Sequence, residues 1–235
     1  MKKIILLLTA FVFIKASAQT ADEVIQKYAT ATGGLEHFKA IKTLKLAGTV
    51  SAQGNEFPLT VQIINGKAIR TDVTIMDKTI ISAYKDGVGW KINPFQGSDA
   101  AVDVTGNELN DLKTQSFVAS QLMDYKARGF TVELQGQEDV EGAKAYKIKL
   151  VTDDKREYTY FIDATTSMLI KSINSSTVMG QDMLVETYYK DVKDFSGLKF
   201  STSRTQKANG QELQELHFDK FEIDPAIDEK VFDKH

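Results

Sequence analysis

The 235-residue sequence contains no cysteine. That excludes disulfides, thiol nucleophiles and thiolate metal ligands, and it removes the acceptor for a lipid anchor on a cysteine behind a leader. Histidine is scarce: there are three, His37, His217 and His235. None stands at the H-x-x-x-H or mixed histidine–carboxylate spacing of a catalytic metal site, so no metal or cofactor is expected. A G-x-S-x-G elbow, a Walker loop and a Rossmann fingerprint are also missing. The carboxylate pairs Asp153/Asp154 and Asp224/Asp228 could be imagined as acid and base. Each falls at a turn signal, where Asp serves the local backbone. Nor is there an excess of positive charge, with 29 Lys and Arg against 32 Asp and Glu. That balance argues against nucleic acid and anionic membrane surfaces as partners. An enzyme would need a polar cluster that the sequence does not display.

Long hydrophobic runs are absent too, apart from one at the start. Lys2 and Lys3 precede an apolar stretch from Ile4 to Ile14, and Ala16-Ser17-Ala18 fits an A-x-A cleavage site before Gln19. The pattern is that of a cleaved secretory leader over residues 1–18, since spanning a bilayer takes about 20 apolar residues. Losing Lys2, Lys3 and Lys15 takes the formal charge from −3 to −6. The expected setting is aqueous and exported, a periplasm or the outside of a cell, with no stable membrane anchor. Residues 19–235 carry no linker, low-complexity tract or charge block and read as one domain.

What is present is mostly two-residue periodicity. From Gly136 to Lys171 three strands follow one another: Tyr146, Ile148 and Leu150 alternate with Lys147 and Lys149, Tyr158, Tyr160 and Ile162 line the return, and Met168 leads away. Asp153-Asp154 and Asp163-Ala-Thr-Thr-Ser167 mark the turns. Ahead of this, Thr20-Ala-Asp-Glu23 forms a capping box for a helix carrying Val24, Ile25, Tyr28 and Ala31, stopped by Gly33-Gly34. A second short helix holds Leu35, Phe38 and Ile41. Strands then run over 44–52, 57–63, 69–75, 79–85 and 88–92, with Asn65-Gly66 the strongest hairpin signal. Between Thr105 and Lys126 the spacing turns helical through Leu109, Leu112, Phe117, Leu122, Met123 and Tyr125. Three more strands occupy 181–193, 196–207 and 211–223, and Ile227, Val231 and Phe232 dock an irregular tail after Pro225. The fold class is mainly β: a single antiparallel sheet of about ten to twelve strands with short helices against it. Trp90 and Phe95 line a pocket or belong to the core, and as single aromatics the core reading weighs more. The mid-chain helix suits a lid with an apolar underside and an ordinary core helix equally well.

Several stretches taken together resemble one family. Asp86-Gly-Val-Gly-Trp-Lys-Ile-Asn-Pro-Phe95 with Gly97, Asp124-Tyr125 with Gly129, Asp139-Val-Glu-Gly142 before Tyr146-Lys147, and Tyr160-Phe-Ile-Asp163 are similar, in order and spacing, to segments of the outer-membrane lipoprotein-sorting-like proteins. The chain departs from them at Ser201, where relatives often carry proline after the Gly197-Leu-Lys-Phe200 segment. The resemblance covers roughly residues 20–232. It implies an unclosed, curved half-barrel whose concave face is covered by short helices. It implies no catalysis, but a carrier or chaperone that holds lipoprotein acyl chains or another lipid-like ligand between sheet and helices. Trp90, Phe95, Phe117, Leu122 and Met123 are the ligand-binding residues expected on that reading. The alternative is an envelope protein-interaction or sensor module on the same fold. That module would show a filled, dry core and an exposed apolar or edge-strand patch in place of a cavity.

Overall fold

A computed structural model describes residues 19–178 and 180–234. The expected leader and His235 lie outside the described residues. Helix α1 (Ala21–Ala31) opens through the capping box: Thr20 Oγ1 accepts from the Glu23 amide at 3.2 Å, and the Glu23 carboxylate accepts from the Thr20 amide at 3.0 Å. Both orphan donors are thereby satisfied. Val24, Ile25 and Tyr28 make its buried stripe, and the short α2 (Leu35–Ala40) buries Phe38.

Six strands follow in sequence: β1 (Thr43–Ala52), β2 (Asn55–Ile64), β3 (Ala68–Ile75), β4 (Lys78–Lys85), β5 (Val88–Asn93) and β6 (Ser98–Val104). After α3 (Gly106–Gln115) come β7 (Thr131–Val140), β8 (Ala143–Val151), β9 (Glu157–Asp163), β10 (Leu169–Val178), β11 (Gln181–Phe195), β12 (Leu198–Ala208) and β13 (Gln211–Ile223). They form one antiparallel sheet in the order β6-β5-β4-β3-β2-β1-β13-β12-β11-β10-β9-β8-β7. Every contact but one joins sequence neighbours through a turn. The exception is β1 on β13, which pairs Leu44 with Ile223 and Val50 with Leu216 in mid-sheet. The two meanders run outward from that seam and end at β6 and β7, which do not meet, so the sheet is not closed.

The sheet has 13 strands, and the two that periodicity did not mark are its edges. In β7 a register shift between Leu134 and Gln137 interrupts the alternation, and most side chains are exposed. An irregular, charged edge discourages further strand pairing. Inner strands show the expected alternation. Leu44 and Leu46 of β1, Leu59, Val61 and Ile63 of β2 and Ile69 of β3 are buried on the face covered by the helices. The outer face is covered locally. Phe161 is buried there beneath Lys147 and Lys171, while the tail after β13 lays Phe232, 1% exposed, on β3–β5.

Gly48 sits at the seam, where the β1–β13 register shifts between Ala47 and Gly48. A Cβ on Gly48 would lie 1.9 Å from the His217 carbonyl oxygen. The close approach of two backbones, not a special φ, makes this position glycine.

The chain must travel from β6 to β7, from one edge to the other, and it does so across the inner face. The expected helix over 105–126 is real only to Gln115, and residues 116–130 are a turn-rich, largely buried segment. The break has a specific cause. In a continuing helix the Val118 amide would bond to Thr114. Here it donates to Asn65 Oδ1 at 3.1 Å, while Ser116 Oγ turns back to the Lys113 carbonyl at 2.7 Å. The Asn65 amide nitrogen also donates to the carbonyls of Phe38 at 3.1 Å and Ile41 at 2.8 Å. The adjoining Gly66 amide, at φ +74°, bonds the Ser116 carbonyl at 2.9 Å. One hairpin turn therefore holds both α2 and the crossing segment.

Two consequences are measurable. Gly48→Ala should lower the unfolding free energy by about 1–3 kcal/mol, the usual cost of overpacking, seen as a reduced urea midpoint. An unchanged midpoint would mean that the seam relaxes freely. Asn65→Ala should cost about 1–3 kcal/mol because it leaves backbone groups unpaired. Amide exchange at Val118 should accelerate while β8 and β9 stay protected; uniform acceleration would contradict a local latch.

Candidate functional site

The inner face and the crossing segment enclose a cavity of about 870 Å³. Ligand sites of small-molecule size run from about 300 to 1,000 Å³. Its two halves differ in chemistry. The wall from β1–β3 is aliphatic except at Thr71, built by inward residues of these strands, Leu46, Val61 and Ile69 among them.

The wall from β9–β13 carries polar groups among apolar ones such as Val185 and Phe218. A single cross-strand row runs Tyr160, Ser172, Thr187, Gln206 and Gln214, each residue opposite the next. The row bonds within itself and to its neighbours. Gln214 donates to Gln206 Oε1 at 2.7 Å, and the Ser172 hydroxyl lies 3.0 Å from the Tyr189 hydroxyl in the adjoining row. In that row Tyr189 stands opposite Arg204, and Arg204 opposite Leu216.

The crossing segment roofs the space with Phe117, Val118 and Met123, and α1 and α2 contribute Tyr28 and Phe38. Gln121 Nε2 donates to the Tyr160 hydroxyl at 2.7 Å and so ties the roof to the polar row. Farther out, Tyr125 donates to Asp22 of α1, and Asp124 pairs with Lys39 of α2 at 2.9 Å. Burial pushes the Tyr28 and Tyr160 phenols above their ordinary range, so both remain neutral hydrogen-bonding groups at physiological pH. At the α3 end, Glu108 pairs with Lys91 at 2.8 Å. Asp111 accepts from Ser176 Oγ at 2.6 Å and lies 3.7 Å from Arg156. Burial raises the Asp111 carboxyl, against the pull of the serine and the arginine.

Of the five residues expected to line a ligand site, Phe117 and Met123 stand on the cavity wall. Leu122, between them, is fully buried but packs into the main core, because the segment is not a helix with one underside. Trp90 belongs to the opposite face. Its partner across the ladder is Ala83, and its indole donates to the Phe232 carbonyl at 2.9 Å beneath the tail. Arg70 braces the same contact, 5.9 Å from the indole ring, with a bond to the Val231 carbonyl at 2.7 Å. Phe95 lies on the short turn Pro94–Gln96, 52% exposed and outside the cavity. The aliphatic wall could have been found from alternation alone. The polar row could not, because its members meet only through register.

Among the described residues no three His, Asp or Glu side chains converge as metal ligands. Asp224 takes the distant backbone amide of Lys42 at 2.7 Å, and Asp153 takes that of its neighbour Asp154 at 2.9 Å, so both serve the backbone. No helix among the described residues is long and apolar enough to cross a membrane.

No protein-family model and no curated protein matches the sequence. Solved structures do match the fold. A LolA superfamily protein from Nitrosomonas europaea superposes with a TM-score of 0.60 at 12% identity, over 92% of this chain and 99% of its own. A putative outer membrane lipoprotein-sorting protein domain from Vibrio parahaemolyticus gives 0.59 at 10% identity, over 91% and 97%. At such identities the likeness speaks for the backbone and not for the ligand. The chain has the LolA-like fold of lipoprotein-sorting domains, an unclosed antiparallel half-barrel roofed by its own crossing segment.

Proposed function

We propose that residues 19–235 act as one exported, non-enzymatic carrier domain that holds an acyl chain, of a lipoprotein or of another lipid-like molecule, between the sheet and the crossing segment. The observation that carries this reading is the cavity of about 870 Å³ with a wall that is aliphatic except at Thr71. The alternative, a protein-interaction module, calls for a filled, dry core and an exposed patch in place of such a space. The structural likeness to a lipoprotein-sorting domain points the same way, as does the leader-like start of the sequence, which suits a periplasmic setting.

Binding needs no covalent step. Each buried methylene contributes about 0.8 kcal/mol, so an acyl chain lying along β1–β3 accumulates ample affinity. Entry and release pass through the roof, whose attachments at Asn65 and Tyr160 are a handful of hydrogen bonds. Phe117 and Met123 would close over the guest.

The test is native mass spectrometry of residues 19–235 purified without detergent, followed by solvent extraction. A co-purifying lipid or acylated peptide is expected. Phe117→Asp and Met123→Asp should each reduce its occupancy about tenfold, given roughly 1.5–3 kcal/mol for a buried apolar side chain. A clean apo mass with no uptake of added fatty acid or lipopeptide would sink the carrier reading.

A further inference from the structure

The polar half of the cavity carries one feature that a purely hydrocarbon guest leaves unused. Arg204, on β12, lines the cavity, and its Nε is buried with no hydrogen-bond acceptor. Among the described residues no carboxylate pairs with it. The other charges on the wall are accounted for: Glu108 by Lys91, Asp111 by Ser176 and Arg156, while Lys199 is exposed.

What holds the Arg204 guanidinium is aromatic. Its central carbon lies 5.4 Å from the Phe218 ring centroid and 5.7 Å from that of Tyr189. Ring faces attract the charge but do not replace strong acceptors for the guanidinium's five in-plane N–H donors. A guanidinium oriented by two rings and left without an anion is matched to a planar or tetrahedral oxyanion, which it binds in a bidentate manner. Beside it lie neutral donors and acceptors, Ser172, Thr187 and Gln206, suited to the rest of a polar head. Across the cavity stands the aliphatic wall of β1–β3.

We infer that the guest is an anionic single-chain amphiphile: a carboxylate or phosphate head at Arg204 and a hydrocarbon tail along β1–β3. This rests on the carrier reading and narrows it, because a neutral diacylglyceryl group offers no such head. It also gives the guest a direction in the cavity.

The experiment titrates delipidated protein with three probes of one chain length, myristic acid, myristyl phosphate and myristyl alcohol, by isothermal calorimetry. The two anions should bind about tenfold or more tighter than the alcohol, the range expected of hydrogen bonds to charged groups. The ratio between the two anions tells carboxylate from phosphate. Arg204→Met should bring both anions down to the affinity of the alcohol, and Arg204→Lys should keep part of the preference. Equal binding of all three by the unsubstituted protein would overturn this inference and leave the carrier intact. Binding of none would overturn both. The preference of the unsubstituted protein decides the matter even if a variant folds poorly.

Discussion

The cavity exists because the two edges of the sheet are consecutive in the chain. After Val104 ends β6 at one edge, Thr131 must begin β7 at the other. At about 4.8 Å between strands, a flat sheet of this order would be roughly 58 Å wide. A fully helical link from Thr105 to Phe130 would reach only about 39 Å at 1.5 Å per residue. The chain meets the mismatch on both sides: the sheet curls its edges toward each other, and the link gives up its helix after Gln115 for a longer-reaching irregular course. A roofed hollow is thus a property of topology before it is a property of any side chain.

A buried irregular segment raises an accounting problem that a helix would not, since its backbone groups lack an internal ladder. The structure solves it with one side chain from elsewhere and with groups of the segment itself. Asn65 takes the Val118 amide, Ser120 takes those of Leu122 and Met123 through its hydroxyl and carbonyl, and the Tyr125 carbonyl takes that of Phe130. The polar row on β9–β13 takes part through Tyr160 and Gln121. Polar groups on that wall therefore have two uses, to seat the roof and to face the hollow. The β1–β3 wall has neither and is free to be aliphatic.

How much of this could be read beforehand depended on whether the signal was local. The inner strands announced themselves by alternation, and the turns by Asn65-Gly66 and Asp153-Asp154. Capping of α1 by Thr20 and Glu23 was equally legible, because all its partners lie within four residues. The edges β6 and β7 were not: with one side unpaired and few buried positions, selection on their alternation is weak. The end of α3 was invisible because the group that takes the Val118 amide is 53 residues away. Phe117 and Met123 were chosen as apolar residues on a segment that had to cover something, and they lie on the cavity wall. Trp90 was misplaced by one pleat, since a strand shows its period in sequence but not which of its faces turns inward. The polar row depended on the register of five strands at once. Only the fold states it.

The seam between β1 and β13 joins nearly the first and nearly the last structured segments of the chain. During synthesis β1 to β6 appear first, with the aliphatic face of β1–β3 bare and one edge of β1 unsatisfied. That edge is the longest-lived open template in the growing chain, because its partner is the final strand to be made. Pairing across so long a loop is also the slow step for a sheet of otherwise local hairpins. The half-made molecule is thus the form most exposed to sticking. Its vulnerability ends only when β13 arrives, which makes the integrity of residues 211–223 a condition for residues 43–75 to be safe.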